Sequence, residues 1–212
     1  MKFKIFSIFA ALAMVICFSF GASAQYMTQD VIFLKAGYIP VYNVTFNEKD
    51  GNKPEDSESR GFAVQGEYNL NFNGFWLGFG LEYQYTKLDL DNQKNIANQF
   101  ILPMASIKIA AVGGLYVGGG VSGKYLIATE ADSSGSEAKK KIDLWANGII
   151  GYHMPIGEGV FLDLEGRFGW NLTNKQFSET EYQSTTYKSD PKNAYDIAFF
   201  VGVGFRALGS NY

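Results

Sequence analysis

The chain has 212 residues and a formal net charge of −3, so one domain is the default and no basic surface for nucleic acid is predicted. It contains 24 Gly, 18 Phe and 13 Tyr but a single His and a single Cys. This composition favours β-sheet over a helix bundle, and one cysteine excludes a domain held together by internal disulfides.

The N-terminus has the three regions of a secretory signal peptide. A short basic start precedes an apolar run over 5–20, and Ala22-Ser23-Ala24 is a cleavage site of small residues. We therefore predict a cleaved signal peptide over 1–24 and one mature domain over 25–212. A retained membrane helix is the alternative, which the short apolar run and the cleavage site disfavour.

The mature chain then alternates between apolar and polar residues in eight long stretches. The alternation is clearest around Asn73-Gly74, a common two-residue hairpin signal, where both arms carry apolar side chains on one face only. Each arm has about the 9–11 residues that a tilted strand needs to cross a bilayer. In chain order we predict strands over 31–45, 62–72, 75–86, 99–110, 115–127, 141–154, 160–172 and 194–207.

The predicted connections alternate between long charged loops and short turns. The loops cover 46–60, 89–98, 128–140 and 173–193, whereas the short connections are the turn at Asn73-Gly74 and two turns that contain Gly or Pro, around 112–114 and over 155–159. We expect a bulge at Pro103, because proline cannot donate a hydrogen bond to the next strand. Long external loops, short periplasmic turns and an even strand number predict an all-β, eight-stranded antiparallel up-and-down transmembrane β-barrel with both termini periplasmic.

Charged residues within the predicted strands all lie on the face opposite the apolar one. A charge facing lipid near the bilayer centre costs about 2–4 kcal/mol, which explains this exclusion. The apolar face is therefore predicted to face lipid and the other face the barrel interior. We interpret the inward charges as a lumen charge network, formed by Lys35, Glu67, Glu82, Lys108, Lys124, Asp143, Asp163, Glu165, Arg167, Asp196 and Arg206.

A soluble eight-stranded barrel of the lipocalin type would have the opposite arrangement, with its apolar face inside. The aromatic residues disfavour that alternative, because the interior of eight strands has little room for them. Those on the apolar face are Tyr38, Tyr68, Phe72, Phe75, Phe79, Tyr83, Tyr85, Tyr125, Tyr152, Phe168, Trp170, Phe199 and Phe205.

Three segments resemble the bacterial outer-membrane β-barrel family often called "porin family protein". They are 99–103 with Lys108, 116–120, and the run Leu164-Glu165-Gly166-Arg167-Phe168 that ends in Leu172-Thr173-Asn174. The resemblance implies an outer-membrane location, with outer-membrane lipids, periplasmic chaperones and the barrel-assembly machinery as partners. It does not imply one activity. Phe205 and Tyr212 both remain candidates for the terminal assembly signal.

The inward charges have two interpretations. They could line a narrow pore for small solutes, or pair with one another as a plug that fills the lumen. We favour the plug, because eight strands leave little free lumen and an unpaired buried charge is costly. The external loops would then carry a structural or surface-interaction role toward an unknown ligand or host surface.

The lone histidine, His153, is the only candidate for a lipid-modifying enzyme. We interpret it instead as an exposed or interfacial ring near Pro155, because a hydrolase would need a partnered serine close to it. The sequence therefore predicts a non-enzymatic protein, with no catalytic, metal-binding or cofactor-binding residues.

Overall fold

The computed structural model describes residues 29–46, 57–72, 74–90, 93–131, 137–138, 142–175, 179–182, 185–188 and 191–207. No helix within these ranges is long and apolar enough to cross a membrane. The predicted signal peptide and Tyr212 lie outside them.

The strands are β1 (Val31–Phe46), β2 (Ser57–Phe72), β3 (Phe75–Leu90), β4 (Gln93–Ala110), β5 (Leu115–Ala131), β6 (Glu137–Ala138), β7 (Ile142–Gly157), β8 (Val160–Asn171), β9 (Glu179–Tyr182), β10 (Thr185–Lys188) and β11 (Pro191–Arg206).

Eight of these strands form a closed antiparallel barrel in the order β1-β11-β8-β7-β5-β4-β3-β2, which confirms the predicted fold. Strand β1 closes the barrel because it pairs with both the second and the last strand. Val31 lies opposite Asn69 of β2 on one side and opposite Arg206 of β11 on the other. Such closure leaves no strand edge of the barrel without a hydrogen-bonded neighbour.

The outer face of the barrel is apolar. Leu34, Leu81 and Ile142 are exposed to 63%, 58% and 62%, and most other large apolar side chains on this face are also exposed. Because the apolar face points outward, the lipocalin-type arrangement is wrong. The thirteen aromatic residues predicted for the apolar face all lie outside the interior, at least partly exposed.

One end of the barrel carries the short turns and both barrel termini; we call it the turn end. The turns are at Gly74, at a 3-10 turn over Val112–Gly114, and at Gly159. Gly74 and Gly159 have φ values of 103° and 69°, which glycine adopts without steric cost. The opposite end, which carries the β1–β2, β3–β4, β5–β7 and β8–β11 connections, is the loop end.

The second predicted loop is wrong. In place of a loop over 89–98, β3 and β4 continue to pair up to Leu90 opposite Gln93, with only two residues between the strands. Backbone pairing needs no apolar face, so a hairpin continues past the end of the outward apolar run. The same reason extends β2 toward the loop end, to Ser57.

Two other predicted loops contain short strands. β6 lies within the loop predicted over 128–140, and β9 and β10 lie within the one predicted over 173–193. They form a separate three-stranded sheet in the order β10-β9-β6. Strands of two to four residues are too short to give a readable alternation, so sequence patterning missed them.

The predicted bulge at Pro103 is also wrong. Pro103 keeps regular register opposite Leu81 of β3. Its ring lies near the outward side of Gly123 on β5, where the residue has no side chain to obstruct it. The register of β1 shifts instead around Pro40, on both its β2 and β11 sides.

Candidate functional site in the barrel interior

The structure places ten of the eleven predicted lumen charges inside the barrel, all buried. Arg206 is the exception and is exposed, because it is the last residue of β11 and lies at the turn end of the barrel. The ten buried charges are Lys35, Glu67, Glu82, Lys108, Lys124, Asp143, Asp163, Glu165, Arg167 and Asp196.

Five of the buried charges form what we call the two-lysine network: Lys35, Lys108, Glu67, Asp163 and Glu165. The Lys35 ammonium lies 2.6 Å from Glu165 Oε2, 2.9 Å from Glu67 Oε2 and 3.0 Å from Asp163 Oδ2. The Lys108 ammonium donates to Glu67 Oε2 and Glu165 Oε2, each at 2.8 Å. Two cations are thus shared among three carboxylates contributed by β2 and β8, which links strands far apart in the barrel wall.

Neutral residues that sequence analysis did not select complete this network. The Tyr116 hydroxyl lies 2.9 Å from Glu165 Oε2 and 3.1 Å from both oxygens of Asp163. Ser106 donates to Glu67 Oε1 at 3.3 Å. Tyr116 and Ser106 are both on inward positions of the predicted alternation, so the alternation could have identified them as interior residues.

Gly151 should be required for the position of Tyr116. A Cβ at Gly151 would overlap the Tyr116 ring, so Gly151→Ala should displace the hydroxyl and lower the free energy of unfolding by about 1–3 kcal/mol. Gly148→Ala on the outer face is the matched control, because nothing lies within 4 Å of its Cβ position. Urea titration of both variants in lipid vesicles measures the difference, and equal stabilities would contradict this role.

A second ion pair joins Arg167 of β8 to Glu82 of β3. Both guanidinium Nη atoms donate to the carboxylate, Nη2 at 2.8 Å from Oε1. Gln84 Nε2 donates to the same Oε1 at 2.7 Å, and the Arg167 guanidinium carbon lies 4.9 Å from the centre of the Phe200 ring. A bidentate pair of this kind fixes the orientation of both side chains.

Lys124 and Asp196 form the third ion pair, at 3.0 Å. Three aromatic rings surround the Lys124 ammonium: its Nζ atom is 4.1 Å from the ring centre of Tyr42, 4.4 Å from Trp145 and 4.9 Å from Phe100. We call these three rings the aromatic box. Ring faces at such distances attract a cation through their quadrupoles.

Asp143 has a different role, because its hydrogen bonds go to the segment that leaves β8. Its carboxylate accepts from Asn171 Nδ2 at 2.8 Å, from Thr173 Oγ1 at 2.9 Å and from the Lys175 amide at 2.6 Å. Asn171 Oδ1 in turn accepts from the amides of Thr173 and Asn174, each at 2.9 Å. Asp143 therefore anchors the start of the long loop after β8.

Two apolar clusters lie on either side of the two-lysine network. Along β1 the buried inward residues run from Phe33 to Lys35 to Tyr42, which places the charged layer between apolar ones. The turn-end cluster consists of Val31, Phe33, Trp76, Ala110, Tyr116, Ile149 and Phe161. The loop-side cluster consists of Ile39, Tyr42, Val44, Ala63, Phe100, Leu102, Leu126, Trp145, Ala194, Ala198 and Phe200.

His153 is not the exposed ring that we predicted. It is 1% exposed and stacks on Phe161 at 4.6 Å between ring centres, with Trp76 edge-on at 4.8 Å. Neither ring nitrogen has a hydrogen-bond partner among the described residues. Its β7 position faces inward at the turn end, so the imidazole adds to the packing of the turn-end cluster.

The inner wall of β2 and β3 carries buried polar groups with unused hydrogen-bonding capacity. The side-chain amides of Gln65 and Asn69, the carbonyl oxygen of Gln84 and the hydroxyl of Thr86 have no hydrogen-bond partner within the described part of the chain. Buried polar groups generally bond to protein or ordered water. This wall therefore adds uncharged polar groups beside Glu67 and Glu82.

The buried charges do not balance. The described residues place four cations and six carboxylates in the interior, so full ionisation leaves an excess of two negative charges (6 − 4 = 2). Hydrogen-bond donors compensate part of the excess, since Asp143 and Asp163 both accept hydrogen bonds from neutral groups. No group of three or more potential ligands in the described residues is arranged to hold a metal ion.

Comparison with known proteins finds similarity of fold alone. The chain is similar to the outer-membrane protein AlkL in its solid-state NMR structure in lipid bilayers, with a TM-score of 0.55 and 11% identity, over 88% of this chain and 95% of AlkL. It is similar to OprG of Pseudomonas aeruginosa with a TM-score of 0.50 and 10% identity, over 86% and 97%. No protein-family profile and no curated protein sequence matches the chain.

Proposed function

We propose that the chain is a non-enzymatic outer-membrane barrel of a Gram-negative bacterium, similar to the porin family, which acts through its loop end in a structural or surface-interaction role. The observation that carries this proposal is the filled interior. A layer of paired charges crosses the lumen with an apolar cluster on each side. Such a barrel offers its loop end, rather than a continuous channel, to other molecules.

The outer face supports the membrane location. Leu81, Val201 and Ile150 would each expose more than half of their surface to water in a soluble protein, whereas lipid would cover them. Outer-membrane lipids are thus the proposed immediate partners, with periplasmic chaperones and the barrel-assembly machinery acting during biogenesis. The fold shared with AlkL and OprG is consistent with this location.

The position of His153 supports the absence of catalysis. An acyl hydrolase needs its histidine beside a nucleophile and a group that orients the ring. The ring of His153 instead contacts Phe33, Trp76 and Phe161. We expect the purified wild-type protein to cause no lipid hydrolysis above the level of vesicles alone. His153→Ala should leave that level unchanged.

Planar-bilayer recording tests the plugged lumen. We expect the wild-type protein to give no discrete openings, because ion pairs and apolar clusters fill the interior formed by the described residues. Discrete openings that change in Glu67→Gln or Glu165→Gln would contradict the plug and favour a pore. Glu158→Gln in the exposed β7–β8 turn is the matched control, which should behave as the wild type. A heat-dependent shift in gel mobility verifies that each variant is folded.

A narrow pore for small solutes is the second candidate, and the polar wall of β2 and β3 favours it. Gln65, Asn69, Gln84 and Thr86 line that wall with groups suited to water or small neutral solutes. The pore would require the turn-end cluster to open, since Phe33 and Trp76 are buried there. Swelling of proteoliposomes in a neutral solute such as glycerol, without ionic conductance, would distinguish it from the plugged barrel.

A further inference from the structure

The aromatic box near the loop end has the chemistry of a binding site for an organic cation. Its three rings and the neighbouring carboxylate come from separate strands: Tyr42 from β1, Phe100 from β4, Trp145 from β7 and Asp196 from β11. In the structure these groups surround the ammonium of Lys124 from β5. Aromatic faces combined with a carboxylate are a recurrent means of recognising ammonium groups.

The box has hydrogen-bonding groups that Lys124 does not use. The Tyr42 hydroxyl, the Trp145 indole nitrogen and Asp196 Oδ1 have no hydrogen-bond partner among the described residues, although the three residues are only 1–3% exposed. Each such group is costly to bury unpaired. An indole nitrogen can only donate and a carboxylate oxygen can only accept, so together they suit a ligand with both an acceptor and a donor.

The local charge also favours one more cation. Lys124 lies opposite Asp143 in the β5–β7 pairing and beside Asp196, and the Arg167–Glu82 ion pair also acts on its charge, so these groups include two cations and three carboxylates. The Asp143 carboxylate already accepts from three donors of the loop anchor. Asp196 is therefore the carboxylate that can still accept a further hydrogen bond.

The box lies closer to the loop end than the two-lysine network does. Trp145 pairs with Asn171, the last residue of β8, and Tyr42 pairs directly with Asp196. The two-lysine network and the turn-end cluster both lie on its other side. A ligand arriving from outside would therefore reach the box without crossing the charged layer.

We propose that the aromatic box binds a small organic ammonium ion that also carries an oxygen acceptor, as an amino alcohol does. The ligand ammonium takes the place between Asp196 and the aromatic rings that Lys124 holds in the ligand-free barrel. The ligand oxygen accepts from Trp145 Nε1. Both free ethanolamine and the headgroup of phosphatidylethanolamine have this chemistry.

NMR of the full-length protein refolded in lipid-free detergent micelles tests the site. Ethanolamine should shift the indole N–H resonance of Trp145 saturably, and Trp145→Phe identifies that resonance. Propylamine, which lacks the oxygen, should bind more weakly, and ethylene glycol, which lacks the ammonium, should cause no saturable shift. Trp76 at the turn end and Trp170 on the outer face are internal controls that should not respond.

Two variants relate the response to the box. Asp196→Asn should weaken ethanolamine binding by about tenfold, and Lys124→Met should strengthen it by about tenfold because the tethered competitor is removed. Glu158→Gln should bind as the wild type. The heat-dependent gel shift shows whether each variant is folded. If Asp196→Asn does not fold, Tyr42→Leu, which removes one ring of the box, is the substitute and should also weaken binding.

The proposal is overturned if ethanolamine causes no saturable shift in either the wild type or Lys124→Met. It is also overturned if ethylene glycol gives an equal shift.

Lipid nanodiscs then identify the source of the ligand. A shifted Trp145 resonance with phosphatidylethanolamine, and not with phosphatidylcholine, would assign the headgroup. A shift only after addition of free ethanolamine would assign the soluble amine.

Discussion

Arg167→Met is expected to lower the free energy of unfolding by about 3–5 kcal/mol, because breaking a buried ion pair leaves one charge uncompensated. Arg167 donates two hydrogen bonds to Glu82, and both residues are buried inside the barrel. The substitution keeps an unbranched side chain of similar length, so the loss reports mainly on the charge. Urea titration in phospholipid vesicles, followed by tryptophan fluorescence and the gel shift, measures it.

A second substitution separates the charge from the packing. In Arg167→Met with Glu82→Gln, the buried carboxylate is removed while the amide at position 82 can still accept from Gln84. We expect this double variant to recover more than half of the lost stability. Arg60→Met, at an exposed position of β2, should change stability by less than about 0.5 kcal/mol. Equal losses in the single and double variants would show that the ion pair is not the cause.

The barrel could be predicted from sequence because its main rule is local. In a strand each side chain points opposite to its neighbour, so Phe79 and Leu81 outward require Gly80 and Glu82 inward. Because charge is expected to be excluded from a side that faces lipid, the uncharged face of each strand is predicted to point outward and the charged face inward. Strand number, antiparallel order and inward orientation all follow from that alternation.

The partners of each inward charge could not be predicted in the same way. Lys35 meets Glu165, 130 positions away, and Arg167 meets Glu82, 85 positions away. Whether two inward residues meet depends on the stagger between strands around the closed barrel, and alternation carries no information about stagger. Sequence patterning thus selected the charged residues of the interior but not the separate networks into which they divide.

The packing of the interior aromatic residues could not be predicted for a related reason. Trp76, Tyr116 and Trp145 lie on inward positions of the alternation, but alternation does not show how eight strands make room for such large side chains. Glycines on neighbouring strands make the room: Gly151 lies against the Tyr116 ring and Gly169 beside Trp145. Inward Gly beside inward aromatic residues on adjacent strands therefore accounts for the room that these rings occupy in the interior.

Leu81→Arg is expected to lower the free energy of unfolding in lipid vesicles by about 2–4 kcal/mol, the cost of placing arginine at the bilayer midplane. Leu81 is 58% exposed and lies midway along the outward apolar run of β3, from Phe75 to Tyr85. Ile142→Arg is the matched control, because Ile142 is equally exposed but begins β7 at the loop end, where the cost should be about 0–1 kcal/mol. A barrel whose outer face is surrounded by water would tolerate both substitutions equally. A cost that depends on depth would thus establish that lipid surrounds this face, and equal stability of the two variants would remove the basis for the proposed location.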